Sequence, residues 1–203
     1  MVLCAVASIA GWSAVFLLPV FLQTVQGRSA LTTGLAMAPQ GVVTGVSTIF
    51  GVYVLGRYLT VRVTVVAGFA VLAAASLGLL LITASTPLWA VALILAARAA
   101  DIGIIINPLL QAMTAQLKPD ELGDANTLFN AIQRIAASFG IGLVAAMYAG
   151  TARTQGPVTA LHETGLVVVA ISALGAVAAL GLPALRNVTG HLRPATAESY
   201  NAG

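Results

Sequence analysis

Six long apolar stretches, parted by short polar or glycine- and proline-marked breaks, occupy the chain from residue 2 to about residue 185. Each is close to the roughly 20 residues that a helix needs to cross the hydrocarbon of a bilayer. In hydrocarbon every backbone N–H and C=O must be paired inside its own segment, so uninterrupted apolar runs of this length read as helices. A water-soluble globule is excluded, because a chain that is 59% hydrophobic and only 7% charged has too few charges to cover a wetted surface. The expected fold is therefore all-α: a polytopic six-helix bundle over residues 1–185, with spans at about 2–24, 33–55, 63–84, 88–115, 124–148 and 164–184, then a polar tail over 186–203.

The breaks carry the turn chemistry expected between spans. Gln26-Gly27-Arg28-Ser29 follows the first, Gly56-Arg57-Tyr58 the second, Ser85-Thr86-Pro87 the third and Lys118-Pro119-Asp120-Glu121 the fourth, while Gln155-Gly156-Pro157 falls between the last two. An even number of spans puts both termini on one side. Arg57, Arg62, Lys118, Arg186 and Arg193 lie on the side of the tail, against Arg28 and Arg153 opposite, so the positive-inside rule makes both termini cytoplasmic in a cell membrane. The basic residues are scattered singly, which leaves no patch for a nucleic acid. The N-terminus lacks the charged lead of a secretory signal and reads as a retained helix. A chain that starts inside a span also has the look of the later part of a longer protein, and both readings stay open.

The few polar groups inside the spans pose the functional question. Arg98 and Asp101 sit near mid-depth of the fourth span, where a lone charge is costly. Three residues apart on a helix, they are spaced to neutralise each other as an ion pair, or to serve a proton or a substrate. Asn107, Gln111 and Thr114 form a second polar arc on that helix, pointing away from Arg98. On the fifth span Asn126, Asn130, Gln133 and Arg134 share one stripe, which reads either as a cavity lining or as a hydrogen-bonded helix seam. Trp12 lies too deep for an interfacial anchor and is packing or cavity wall. Gly41 and Gly45 form a GxxxG motif that Ser47 and Gly51 continue, a pattern for close helix packing. Pro19 and Pro108 lie at corresponding places if the bundle is two inverted three-helix repeats.

Other features have simpler readings. Asp120, Glu121 and Asp124 precede a helix whose N-terminus favours negative charge. Cys4 reads as a small buried hydrophobe. His162 and His191 have no cysteine near them, so no metal site and no cofactor is expected. No HExxH, GxSxG or phosphate-binding loop is present, and an enzyme is not expected.

Three patches carry a family resemblance. FLLPVFLQTVQGRSALTTGLAMAPQG (16–41), RAADIGIIINPLLQAM (98–113) and KPDELGDANTLFNAIQRIAASFGIGLVAA (118–146) together resemble the C-terminal half of the fourteen-helix drug/proton antiporters of the major facilitator superfamily. The chain departs from that pattern at Thr60 and Val61, where Asp-Arg is usual, and at Asp101, where glycine is expected. The resemblance implies one half of a proton-coupled exporter of drugs or other hydrophobic, often cationic, small molecules. Its partners would be the bilayer, substrate, protons, and an N-terminal half or a second copy. Asn126, Asn130, Gln133, Arg134, Asn107 and Gln111 are then candidates for the substrate cavity, and Asp101 with Arg98 for proton or ion-pair control. The rival reading is a membrane scaffold or regulatory partner that transports nothing and binds through its small-residue faces.

Overall fold

A computed structural model describes residues 1–51, 58–114, 117–118 and 120–182; the expected loop at 56–57, the end of the second span and the tail at 186–203 lie outside the described residues. Among the described residues the regular elements are all helices. The helices are α1 (Val2–Thr24), α2 (Ala30–Phe50), α3 (Val61–Leu77, extended by a 3-10 turn over Gly78–Leu81), α4 (Leu88–Arg98), α5 (Asn107–Thr114), α6 (Leu122–Gln155) and α7 (Pro157–Ala179). Among the described residues, five rods are long and apolar enough to span a bilayer: α1, α3 with its extension, the α4-to-α5 rod, α6 and α7. With α2, whose 21 residues extend about 31 Å, they make up the expected bundle.

Side-chain caps mark two helix starts and a proline a third. Ser29 caps α2 by accepting from the Thr32 N–H at 3.2 Å, and Thr60 caps α3 by accepting from the Val63 N–H at 3.4 Å. Glu121 stands at the N-cap of α6 yet makes no capping bond there; its Oε2 accepts from the Lys118 N–H at 3.1 Å, and only Asp124 remains in the first turn. The longest differences from the sequence reading are at the last two helices. α6 runs on to Gln155 and α7 starts at Pro157, so the expected long connection is a single residue, Gly156, held at φ +92° where a side chain would be strained. Pro157 starts the next helix because its missing N–H has no partner to lose there.

The fourth span is not one straight helix. α4 ends at Arg98, and after Ala99–Asp101 the chain makes a π turn over Ile102–Ile106 before α5 resumes at Asn107. This turn brings Gly103 against the backbone of Ser47 and Thr48, and Gly51 against the carbonyl of Gly103, so close that neither position has room for a Cβ. Where no water can drive association, contacts of this kind hold helices together by van der Waals packing. Gly140 does the same against Ile9 Cα, and Gly175 against the Phe69 ring. Gly41 and Gly45, the GxxxG pair, instead face outward with nothing within 4 Å.

α1 packs chiefly on α6, α3 on α7 and α2 on α4. The buried interior is apolar and includes Phe21, Phe69, Leu72, Leu79 and Leu161. One end of the bundle is laced by side chains reaching carbonyls. Gln26 Nε2, after α1, donates to the carbonyls of Thr83 and Thr86 at 3.1 Å each, and His162 Nε2 on α7 lies 2.8 Å from the Ile82 carbonyl.

Candidate functional site

Midway along α1 the residues Ser8, Gly11, Trp12 and Val15 recur at helical spacing and share one face. That face borders a small cleft of about 40 Å³, partly open to the outside, whose other walls come from Gln40 on α2, Leu95 and Arg98 on α4, Asp101 and Ile106 beside and within the π turn, and Gln133 on α6. Trp12, 41% exposed, is thus a wall of the cavity.

Arg98 and Asp101 are both buried, 4% and 5% exposed. The guanidinium ties three helices together. Its Nη2 donates to the Ala10 carbonyl of α1 at 2.8 Å and its Nη1 to Ser76 Oγ of α3, which in turn donates to the Leu72 carbonyl. The Asp101 carboxylate lies within electrostatic reach of Arg98 and rests on α1 at Gly11, where a Cβ would stand 2.6 Å from Oδ2. Gly11 is therefore the space that admits the carboxylate. Two opposite charges at this depth, anchored and bordering open space, are what a site that must handle charge inside a membrane requires.

The amides divide between inside and outside. Gln133 is half-buried at the cavity wall, whereas Asn126, Asn130 and Arg134 on the same helix are exposed on the bundle's flank. Asn130 Nδ2 donates to Asn126 Oδ1 at 3.0 Å and to the Asn126 carbonyl at 2.8 Å, so this pair satisfies itself along α6. The Arg134 guanidinium has no partner among the described residues. Asn107 and Gln111 on α5 are half-buried but do not border this cleft. The residue that the sequence reading passed over is Gln40. Its Oε1 is buried without a hydrogen-bond partner among the described residues, at the cavity wall. An amide in an apolar helix, next to Pro39, was the available signal, the same one that singled out the α6 stripe.

Comparison with known proteins agrees with this architecture. Over 127 residues the chain is 30% identical to the methylenomycin A resistance protein of Streptomyces coelicolor, a match covering 62% of this chain and 26% of that relative. The chain spans about a quarter of the length of this curated relative. A family model described as Major Facilitator Superfamily matches residues 1–141, from α1 through the cavity-lining part of α6. This multi-pass membrane chain belongs to the Major Facilitator Superfamily, a family of transporters.

Proposed function

We propose that the bundle forms one wall of a secondary transporter that exports hydrophobic or cationic small molecules in exchange for protons, facing an N-terminal half or a second copy across a substrate site at the membrane midplane. The observation that carries this reading is the buried Arg98 and Asp101 at the edge of an open mid-bundle cleft. Charges are kept at such depth chiefly where they handle an ion or a substrate. In this reading Asp101 takes up and releases the proton, and Arg98, fixed between α1 and α3, holds the carboxylate's surroundings constant between the two states. Gln133 and Trp12 contact the cargo. Asn126, Asn130 and Arg134 lie on the flank that meets the opposite wall, with both termini on the cytoplasmic side. The resistance function in the name of the Streptomyces relative supports a drug-like cargo.

The test is proton-driven dye efflux in proteoliposomes, with this chain alone and with an N-terminal half added. Transport in either arrangement, lost in Asp101→Asn at equal membrane abundance, is the expected result. Unchanged transport by Asp101→Asn removes that residue from the mechanism. Silence in both arrangements favours the scaffold reading, which draws on the open face of α2 at Gly41 and Gly45.

A further inference from the structure

Between Asp124 and Thr151, α6 carries a single charged side chain, Arg134. It lies ten residues beyond Asp124, about 15 Å along the axis and so about half the hydrocarbon thickness, too deep for the snorkelling open to arginines near helix ends. Arg134 is exposed on the flank of the rod that the bundle covers least, and it makes no hydrogen bond or ion pair among the described residues. Asn126, Asn130 and Ser138 stand at one-turn steps along the same flank, but the asparagines bond each other and Ser138 Oγ donates back to the Arg134 carbonyl at 2.9 Å. A lone guanidinium at this depth is not left facing lipid. Ile135 and Phe139 beside the strip, 59% and 74% exposed, do not suit a wet channel either. A charged and amide strip bordered by large apolar side chains matches another membrane helix, against which the polar groups bond and the apolar ones pack.

A second copy does not supply the missing acceptor. Of the six acidic residues in the chain, Asp101 is buried and already engaged, Asp120, Glu121 and Asp124 sit at one end of α6, Glu163 accepts from Thr151 at 3.0 Å near the other, and Glu198 lies outside the described residues. Two copies meeting along α6 would set Arg134 against Arg134, because such a contact pairs like with like.

We infer that this flank docks a membrane-spanning helix of different sequence, which brings an aspartate or glutamate to the depth of Arg134. The inference rests on the opposite wall proposed above and excludes a second copy as that wall. A carboxylate at this place accepts two parallel N–H bonds from the guanidinium and neutralises it. It also fixes the register of the incoming helix against Asn130 and Asn126, one and two turns away.

Single-span peptides test this. Leu-rich helices with Lys-flanked ends, carrying Asp, Asn or Leu at the centre, are reconstituted with the full chain in phosphatidylcholine vesicles, and association is read by energy transfer from a dye on the chain to one on the peptide. No gradient and no cargo are present, so the outcome is independent of whether the chain transports, and the Asp101→Asn efflux test is independent of this one. The Asp peptide should bind wild type about tenfold more tightly than the Asn or Leu peptide, the ratio that one strong polar contact between membrane helices corresponds to. Arg134→Met, whose apolar side chain suits lipid, should lose the preference, and Arg134→Lys, which keeps the charge, should retain most of it and guards against a folding artefact. Equal binding of the three peptides to wild type overturns the inference, as does a preference that survives in Arg134→Met or is lost equally in Arg134→Lys. Energy transfer between two labelled wild-type copies that Arg134→Met abolishes also overturns it, by making a second copy the occupant.

Discussion

Removing the Arg98 charge tests the central arrangement. Arg98→Met keeps much of the side chain's length and apolar volume but leaves the Asp101 carboxylate, 5% exposed, without the guanidinium beside it. The acceptors that Arg98 releases are not orphaned. Ser76 Oγ still donates to the Leu72 carbonyl at 2.5 Å, and the Ala10 carbonyl remains inside the α1 ladder. The loss is therefore dominated by the stranded charge, for which breaking one side of a buried pair costs about 3–5 kcal/mol. Adding Asp101→Asn removes that charge, and the double variant should recover about 2–3 kcal/mol, a coupling in the range measured for groups in contact. The assay is unfolding of the full chain in detergent, followed by circular dichroism across a denaturant series for wild type, both single variants and the double. If Arg98→Met with Asp101→Asn is as unstable as the sum of the singles, the two residues are not coupled and the electrostatic account of the site is wrong.

Two further predictions separate packed from open positions. Gly103→Ala drives a methyl into the Ser47 and Thr48 backbone, which cannot rotate away, and should cost about 3 kcal/mol or more, whereas Gly45→Ala meets nothing within 4 Å and should change stability by less than about 0.5 kcal/mol; equal effects in thermal melts of the two variants would contradict the assignment of the close contacts. Cys4, 1% exposed, should resist maleimide in the folded chain and react once the chain is unfolded; labelling of Cys4 without denaturant would show that α1 does not pack as described.

Helix content and membrane residence were legible in the sequence because both follow from the length and apolarity of single segments. Which side of each helix faces the cavity was not, because periodicity fixes only the relative angles of residues on one rod. Asn126, Asn130, Gln133 and Arg134 do share a stripe, but the packing of α6 on α1 and α7 turns Gln133 toward the cleft and leaves the other three outside. The Arg98 partners were out of reach for another reason. Local spacing pointed to Asp101 three residues on, while the guanidinium's hydrogen bonds go to residues 22 and 88 positions away. The π turn also broke the assumption of 100° per residue across 88–114, so an arc drawn from Arg98 to Gln111 on an ideal helix had no fixed meaning. The GxxxG motif named the right force and the wrong glycines within this chain. Gly51, its continuation, makes the close contact, and its partner Gly103 has no motif around it.

The lacing of Gln26 to Thr83 and Thr86, with His162 at Ile82, joins the first and third turns of the chain and the start of α7 through side chains that bond main-chain oxygen. Such seams resist sliding of one helix along another, since each bond breaks within about an ångström of shear. Sliding of α1 or α7 past the connection between α3 and α4 would have to break these bonds, which sets that end of the bundle apart from the π turn beside Asp101, where the winding of the fourth span is already irregular.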